Sequence, residues 1–356
     1  MNIDPENRRI HGRGADINPP NRFEALRYEP EDWCEPDAES RPIQTQFFRD
    51  DSQSIISYNN SPDLGFDASL NPYRGCEHGC AYCYARPTHE YLGLSAGTDF
   101  ESRIMIKQNA ARLLASELAR RSWTPQLLVL SGVTDAYQPI ERKLEITRAC
   151  LRVLAEFRNP VSILTKNHLV TRDADVLAEL ARFKAAMVTL SITTLDASLA
   201  RLMEPRASGP SHRLEAVAKL HEAGIPVGVN IAPIIPGIND HEVPKIAEAA
   251  AQAGAESAAY TVVRLPLTVA PVFVAWLERH FPERKEKVLN AIRSMRQGRL
   301  NTPDFGLRMR GEGPVAEQIR QLFRISCHRA GLGQFRTELS TNSFRRILPN
   351  QMELAL

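Results

Sequence analysis

The sequence lacks several features that would each assign a class of protein. It has only 6 cysteines in 356 residues and no secretory hydrophobic segment, which disfavours a disulfide scaffold and favours a protein of the reducing cytoplasm. No uninterrupted apolar run approaches the length that spans a bilayer, so we expect no membrane contact. No Gly-x-Gly-x-x-Gly turn follows a predicted strand, which argues against a dinucleotide-binding domain.

What the chain does contain is the composition of a soluble globular protein, with 43% hydrophobic and 24% charged residues. Its net charge of +2 is unevenly spread. In residues 1–50 acidic side chains outnumber basic ones 11 to 7, whereas in residues 264–346 basic side chains lead 16 to 7. An arginine-rich C-terminal third is compatible with a nucleic-acid or phosphate partner, but a solvated basic surface is the more common explanation of such a pattern.

The pattern of apolar residues predicts strands that alternate with helices between residues 67 and 264. Six such units indicate an α/β fold built of parallel βαβ units. We expect a partial (β/α)6 barrel related to the eight-unit TIM barrel, with an open doubly wound sheet as the second possibility. Residues 1–53 form an irregular N-terminal extension, in which 12–15 read as flexible coil. Residues 54–265 form the core, and residues 266–356 a mainly helical, arginine-rich region.

Three of the cysteines lie together directly after the first predicted strand, at 67–74. Cys76, Cys80 and Cys83 have the spacing Cys-x3-Cys-x2-Cys. Thiolates are the ligands of iron–sulfur clusters, which proteins normally hold through four cysteines. Three thiolates can hold three corners of a 4Fe–4S cube and leave the fourth iron open to an exogenous ligand. A small zinc site completed by His78 or His89 is the alternative.

Several segments together resemble one branch of the radical S-adenosylmethionine (SAM) superfamily, the spore photoproduct lyase-like or DNA repair photolyase-like branch. They are Asn-Pro-Tyr-Arg-Gly-Cys at 71–76, Tyr-Cys-Tyr at 82–84, Thr-Asp-Ala-Tyr-Gln-Pro-Ile-Glu at 134–141, Leu-Thr-Lys at 164–166 and Ala-Pro-Ile-Ile-Pro-Gly at 232–237. The resemblance runs from about residue 54 to 265. It implies a 4Fe–4S cluster on the three cysteines, reductive cleavage of SAM, and an electron donor such as flavodoxin or ferredoxin.

The resemblance does not identify a substrate. A DNA lesion or another nucleic acid is one possibility, and hydrogen abstraction from a peptide or small molecule is another. A non-catalytic iron–sulfur or zinc-binding protein is the alternative outside the enzymes.

Candidate SAM contacts lie in the loops that follow the predicted strands, because a barrel of this kind builds its site at the strand carboxyl ends. The resemblance places the SAM amine near the turn containing Gly132, Thr134 and Asp135. An ammonium suits the SAM carboxylate, hydroxyls suit the ribose, and apolar side chains suit the adenine. The corresponding candidates are Lys166, Ser191, Thr193, Pro236 and Tyr82. Helix capping by Asp135, a solvated Lys166 and internally satisfied hydroxyls are the structural alternatives.

Two further side chains are candidates for roles outside SAM binding. Arg206 could bind a substrate phosphate or carboxylate bidentately, or could pair with Glu204 or another acid. Cys327 could donate a hydrogen atom or relay a radical, although a cysteine in an apolar helix is usually buried and inert. Cys34 and Cys150 are interpreted as packing residues.

Overall fold

The computed structural model describes residues 12–23, 43–334 and 338–347; Cys34 lies outside this part of the chain. Its strands are β1 Gln46–Arg49, β2 Ile56–Tyr58, β3 Ala68–Leu70, β4 Tyr73–Arg74, β5 Arg103–Ile106, β6 Leu128–Leu130, β7 Val161–Thr165, β8 Ala186–Ser191, β9 Val227–Ile234, β10 Ser257–Val262 and β11 Gly333–Gln334. Its α-helices are α1 Thr98–Ser102, α2 Ala110–Ala119, α3 Glu141–Leu144, α4 Ile146–Phe157, α5 Ala174–Arg182, α6 Ala197–Met203, α7 Pro210–Glu222, α8 Val243–Gln252, α9 Val269–His280, α10 Lys285–Ser294 and α11 Gly313–Ala330. A 3-10 helix at Arg86–Leu92 follows the cysteine loop.

The main sheet has eight strands in the order β11-β10-β9-β8-β7-β6-β3-β2. It is parallel from β11 to β3, and only β2 pairs antiparallel with its neighbour. From β3 to β10 each strand lies beside the next main-sheet strand along the chain. A doubly wound sheet would reverse its strand order near the middle. The sheet is open, so the fold agrees with the predicted partial barrel and not with the doubly wound alternative.

The two faces of the main sheet differ in composition because successive side chains of a strand point to opposite sides. One face is apolar and packs in the main hydrophobic core; Ile163, Val188 and Val227, which are in register, belong to it. The other face carries the apolar Val129, Leu164 and Met187 together with small and polar residues: Ser69, Ser162, Thr189, Gly228, Ser191, Asn230 and Ser257. This second face therefore carries hydrogen-bonding groups that the face in the main core lacks.

The helices cover the apolar face. In α4 the buried side chains include Cys150, Leu151 and Leu154, which confirms that Cys150 is a packing residue. The C-terminal region, predicted to be mainly helical, contains α9, α10 and α11. None of the helices in the described ranges is both long enough and apolar enough to span a bilayer.

Two predictions about local structure were wrong. The single strand expected at 67–74 is split: β3 belongs to the main sheet, whereas β4 pairs with β5 in a separate sheet of order β1-β5-β4. Pro72 lies at the break, where it has no N–H for a ladder. Residues 12–15, expected to be flexible coil, include three buried residues, Arg13, Gly14 and Ala15. They pack on the cysteine loop.

Candidate functional site

The three clustered cysteines lie in the loop between β4 and the 3-10 helix Arg86–Leu92. Cys76 and Cys80 are buried and Cys83 is half-buried, and all three are free thiols. The loop follows the first parallel strand of the main sheet, so it lies at the same edge as the loops after β6, β7, β8 and β9. Hydrogen bonds from several of those loops hold it in place.

The loop after β6 holds the Cys76 end. The Gln138 side chain accepts a hydrogen bond from the Glu77 amide (2.9 Å) and donates one to the Gly75 carbonyl (3.3 Å). The Thr134 hydroxyl donates to the Tyr73 carbonyl at 2.9 Å. The Asp135 amide donates to the Cys76 sulfur, which favours the thiolate. The Thr-Asp-Ala-Tyr-Gln segment therefore fixes the backbone on both sides of Cys76.

The Asp135 carboxylate is already engaged by its own chain. It accepts hydrogen bonds from the Thr165 hydroxyl (2.7 Å), the Lys166 amide (2.8 Å) and the Tyr137 amide (2.9 Å), and His78 Nδ1 lies 3.3 Å away. Burial alone would raise the pKa of Asp135, but His78 and these hydrogen bonds hold it at about 2. The hydrogen bond from the Tyr137 amide closes an Asx turn. The next α-helix begins only at Glu141, so Asp135 does not cap a helix. A direct contact between Asp135 and SAM stays a prediction.

The Cys80 end is held by a buried ion pair. The guanidinium of Arg86 donates twice to the Cys80 carbonyl, at 3.0 and 2.7 Å, and also pairs with the carboxylate of Glu101. Both side chains are fully buried. Burying a charge without a partner is costly, so each of these groups stabilises the position of the other. Arg86 thereby fixes the backbone at the second cysteine.

A second buried network joins Tyr82 to the loops after β8. The Glu204 carboxylate accepts hydrogen bonds from the Tyr82 hydroxyl, from Arg213 and from the Thr193 hydroxyl, the last at 2.6 Å. Arg213 also donates to the Ser191 carbonyl at 2.9 Å. Burial would raise the pKa of Glu204, but the positive charges of Arg213 and Lys166 and these hydrogen bonds hold it at about 2. The carboxylate is therefore ionised at neutral pH.

Lys166 is brought to the same place. Its ammonium lies 5.9 Å from the centre of the Tyr82 ring. Burial would lower the pKa of Lys166, but the negative charge of Glu204 raises it. The structure thus places a positive charge, an aromatic ring and the Thr193 hydroxyl next to the second cysteine.

The remaining SAM candidates lie in loops that are fixed internally. The Gly132 carbonyl accepts a hydrogen bond from the Tyr84 hydroxyl at 2.9 Å. Pro236 is buried in the loop after β9. In that loop the Asn239 side chain donates to the Thr193 carbonyl (2.7 Å) and accepts from the Ile235 amide (2.6 Å). These loops thus form an ordered rim around the cysteine loop.

Arg206 and Cys327 differ in their relation to this site. Arg206 lies against the cysteine loop, where its guanidinium is 3.3 Å from Glu77 and donates to the Thr45 hydroxyl at 3.0 Å. Its acid partner is Glu77, since Glu204 pairs with Arg213. Cys327 lies in α11 within the main core on the apolar side of the sheet, where burial raises its pKa to about 11. The structure does not bring Cys327 together with the three cysteines.

Sequence reasoning missed Glu204 as a central residue and did not single out Arg213, Arg86 or Glu101. Glu204 was considered only as a partner for Arg206, two residues away. Arg86 and Glu101 are 15 residues apart, and no motif in the sequence singles them out. Only the full burial of both would have identified them, and burial is not readable from an irregular segment.

The donor set fits an iron–sulfur cluster. Burial raises the pKa of Cys76 and of Cys80, so each sulfur is protonated until a positive metal centre binds it. Within the described ranges no three His, Cys, Asp or Glu side chains are arranged to hold one metal ion. The sulfurs of a cluster bind different irons, so they need not converge on one point. Three free thiols on one tethered loop match that requirement.

Comparison with known families identifies the superfamily of this chain. The family model of the Radical SAM superfamily matches residues 70–250, just over half of the chain. The chain belongs to the radical SAM superfamily. Its members are enzymes, and membership implies SAM and an iron–sulfur cluster as cofactors. The resemblance seen in the sequence is thereby confirmed at the level of the superfamily.

Curated relatives of this radical SAM protein come from bacteria, archaea and viruses. An uncharacterized protein of Mycobacterium tuberculosis is 35% identical over 226 residues, 63% of this chain and 66% of that protein. The chain thus matches just under two thirds of that relative's length. An uncharacterized protein of Methanocaldococcus jannaschii is 30% identical over 62% of this chain and 79% of its own. The radical SAM Nalpha-GlyT isomerase of Pseudomonas phage M6 is 23% identical over 65% of this chain and 47% of its own.

Among solved structures, spore photoproduct lyase complexed with dinucleoside spore photoproduct superimposes with a TM-score of 0.58 and 15% identity, over 83% of this chain and 82% of that one. A variant of that lyase with bound AdoMet and dinucleoside spore photoproduct gives a TM-score of 0.56, 15% identity and the same coverage. At this level of identity the similarity establishes only the fold of the radical SAM chain, an open, partial barrel.

Proposed function

We propose that this protein binds a 4Fe–4S cluster through Cys76, Cys80 and Cys83, cleaves SAM reductively and abstracts a hydrogen atom from a substrate. The observation that carries the proposal is the cysteine loop itself. It presents three free thiols at the edge of a radical SAM barrel and is tethered by the loop after β6, the connection after β8 and the 3-10 helix Arg86–Leu92. When bound, the cluster supplies the electron that cleaves SAM to methionine and a 5′-deoxyadenosyl radical.

The chain's own residues bind and orient SAM in this proposal. The Lys166 ammonium, beside Cys80 and Tyr82, neutralises the SAM carboxylate. The turn containing Gly132, Thr134 and Asp135 faces the amine, with Asp135 fixing the turn. The Thr193 hydroxyl donates its proton to Glu204, which leaves its lone pairs to accept from a ribose hydroxyl together with Ser191. Pro236 and its neighbours contact the adenine.

The proposal also assigns an electron donor and a substrate contact. The electron comes from a reduced flavodoxin or ferredoxin. Arg206, which retains a half-exposed guanidinium beside Glu77, is the candidate contact to an anionic substrate group.

Anaerobic reconstitution tests the proposal. Protein loaded with iron and sulfide, reduced with dithionite and supplied with SAM is expected to form 5′-deoxyadenosine. A Cys76/Cys80/Cys83→Ala variant is expected to form none, while the control Cys327→Ala retains the wild-type rate because that thiol lies in the core. If the wild-type protein binds iron and never cleaves SAM, the proposed enzymatic activity is refuted.

A nucleic-acid substrate is the second candidate, and one observation favours it. Tyr84, next to Cys83, is 44% exposed, and the Arg264 guanidinium lies 4.4 Å from the centre of its ring. An exposed aromatic ring with a neighbouring arginine is typical of sites that stack a nucleobase and contact its phosphate. Several other C-terminal arginines are already engaged, because Arg308 pairs with Asp63 and Arg296 donates to backbone carbonyls.

Binding to oligonucleotides at several salt concentrations tests this candidate. Affinity is expected to fall steeply with salt, and Tyr84→Ala is expected to weaken binding about tenfold. Tyr58→Ala is the control, since that ring is 65% exposed and lies in β2, outside the cysteine loop. Absence of binding at low salt, or equal effects of the two substitutions, would remove the nucleic-acid candidate and leave SAM cleavage untouched.

A further inference from the structure

Residues 12–23, here called the N-terminal strap, lie outside the part of the chain that the family model matches. The strap nevertheless touches the cysteine loop at its most crowded point. A Cβ atom at Gly14 would lie 1.6 Å from the carbonyl oxygen of Gly79, the residue before Cys80. Gly79 itself has a φ of +67°. No side chain fits at position 14 unless the strap or the loop moves.

Hydrogen bonds connect the strap to Cys80 through two buried charges. The amides of Gly14 and Ala15 donate to the two carboxylate oxygens of Glu101, at 3.0 and 2.8 Å. Glu101 pairs with Arg86, and Arg86 donates twice to the Cys80 carbonyl. The strap amides thus satisfy the carboxylate that orients the guanidinium on the second cysteine.

A parallel connection runs towards Cys76. The Arg13 guanidinium donates to the Glu101 carbonyl at 2.6 Å and to the Thr45 hydroxyl at 2.9 Å. The Thr45 hydroxyl in turn donates to the Glu77 carboxylate at 3.1 Å, directly after Cys76. Arg13 is buried even though it lies near the start of the described chain. Both halves of the cysteine loop are therefore tied to the strap.

The strap is also anchored beyond the loop. Asp16 forms an ion pair with Arg279 in α9, the helix that packs in one hydrophobic cluster with Cys80 and Tyr82. At its other end Asn21 donates to the carbonyl oxygen of Glu90, at 2.9 Å, in the 3-10 helix after Cys83. The strap therefore spans the outside of the loop from α9 to that helix.

We propose that the N-terminal strap is part of the cluster site. It fixes the backbone around Cys80 and shields that cysteine from solvent, and Gly14, Arg13 and Glu101 act as positioning residues. The inference rests on the proposed function where it concerns retention of the cluster. The shielding of Cys80 is a property of the cluster-free protein and stands apart from it.

The test uses full-length protein with and without the cluster. In cluster-free protein, Gly14→Ala is expected to raise the rate at which iodoacetamide alkylates Cys80 about tenfold. Peptide mass spectrometry measures that rate. In reconstituted protein the same variant is expected to lose iron to a chelator faster than wild type. Gly65→Ala is the matched control, because a Cβ there meets no atom within 4 Å.

Cys150, fully buried in α4, reports whether a variant has unfolded. If Gly14→Ala exposes Cys150 as well, Arg13→Ala decides, since it keeps the glycine and removes only the side-chain contacts; Arg13→Lys should partly restore protection. Wild-type rates of Cys80 alkylation and of iron loss in folded Gly14→Ala and Arg13→Ala would overturn the inference. Failure of wild-type protein to take up iron would instead count against the proposed function.

Discussion

Glu204 illustrates how one side chain can control several others at this site. Its carboxylate binds the Tyr82 hydroxyl, the Thr193 hydroxyl and the Arg213 guanidinium, all buried. Removing one partner of a buried ion pair leaves an uncompensated charge, which is more costly than losing the pair as a whole. Glu204 therefore stabilises the loop after β8 and the cysteine loop together.

We expect Glu204→Gln to lower the free energy of unfolding at neutral pH by about 3 kcal/mol, because Arg213 then stays buried without a counter-charge. Urea unfolding of the two proteins measures the difference. Glu215→Gln, which alters an exposed carboxylate beside Lys219, is the control and should change stability little. Equal losses in the two variants would contradict the buried-pair argument.

His89 is expected to make the free energy of unfolding depend on pH. Its ring is fully buried, and burial lowers its pKa to about 4. Below pH 6.5 the unfolded chain takes up a proton that the folded chain does not, so stability falls as the pH is lowered from 6.5 towards 4. Between pH 7 and pH 5 this histidine contributes a loss of about 2 kcal/mol.

The comparison of wild type with His89→Gln isolates that contribution. The free energy of unfolding, measured with urea at both pH values, should fall less in His89→Gln than in wild type. His241→Gln, at an exposed position, should follow the wild-type dependence. A His89→Gln protein with the full wild-type decrease would show that His89 titrates normally in the folded state.

At the scale of elements, the loop after β6 acts as a clamp on the cysteine loop. Gln138 is fully buried and bonds the backbone on both sides of Cys76. Groups that orient metal ligands typically change metal affinity 10- to 100-fold when they are removed. We expect Gln138→Ala to weaken retention of the cluster about tenfold, measured as iron and sulfide remaining after incubation with a chelator.

Gln252→Ala is the matched control for Gln138. Its side chain is exposed in α8 and donates a hydrogen bond to Glu248 of the same helix. The control should retain iron as wild type does. If Gln138→Ala also retained it, the clamp would be dispensable and Cys76 would be held by the thiol–metal bond alone.

Elements also show where sequence patterns succeed and where they do not. The parallel strands and their helices were predictable because apolar periodicity records burial on one face. The split at Pro72 was not recognised because only Asn71 and Pro72 separate β3 from β4, so the two short strands read as one segment. The buried strap was not recognised because Gly-Arg-Gly-Ala has no periodicity, and its burial depends on Gly79 and Glu101, at least 65 residues away.

The same distinction explains the site. Cysteine spacing is local and predicted the loop, and the strand order predicted which loops surround it. The Glu204–Arg213 and Arg86–Glu101 pairs depend on which charges become buried, a property of the assembled molecule. Sequence reasoning therefore identified candidate ligands and missed the residues that hold those ligands in place.

At the scale of the whole molecule, residues 299–313 connect β10, near one end of the open sheet, with the turn between β2 and β3 at the other end. The Met309 carbonyl accepts a hydrogen bond from the Val262 amide at the end of β10. Arg308 pairs with Asp63 at 2.6 Å, in the turn between β2 and β3. This arginine-rich segment therefore has a structural role across the opening of the barrel.

We expect Asp63→Ala to loosen that connection, since it removes the acceptor of Arg308 and of the Gly306 amide. Limited proteolysis should cut within 299–313 faster than in wild type, and unfolding should cost about 1–2 kcal/mol less. Asp51→Ala, which removes an exposed partner of Arg49, serves as the control. Unchanged cleavage in Asp63→Ala would show that other contacts hold the segment.

The many tethers of the cysteine loop have a consequence for biosynthesis. Its partners reach from Arg13 through Gln138 and Glu204 to α9, where Arg279 meets the strap. A ribosome exposes the three cysteines long before it has made residues 204–279. The loop can therefore make all of these contacts only after most of the chain has emerged, and we expect a site able to hold iron and sulfide to form late in synthesis.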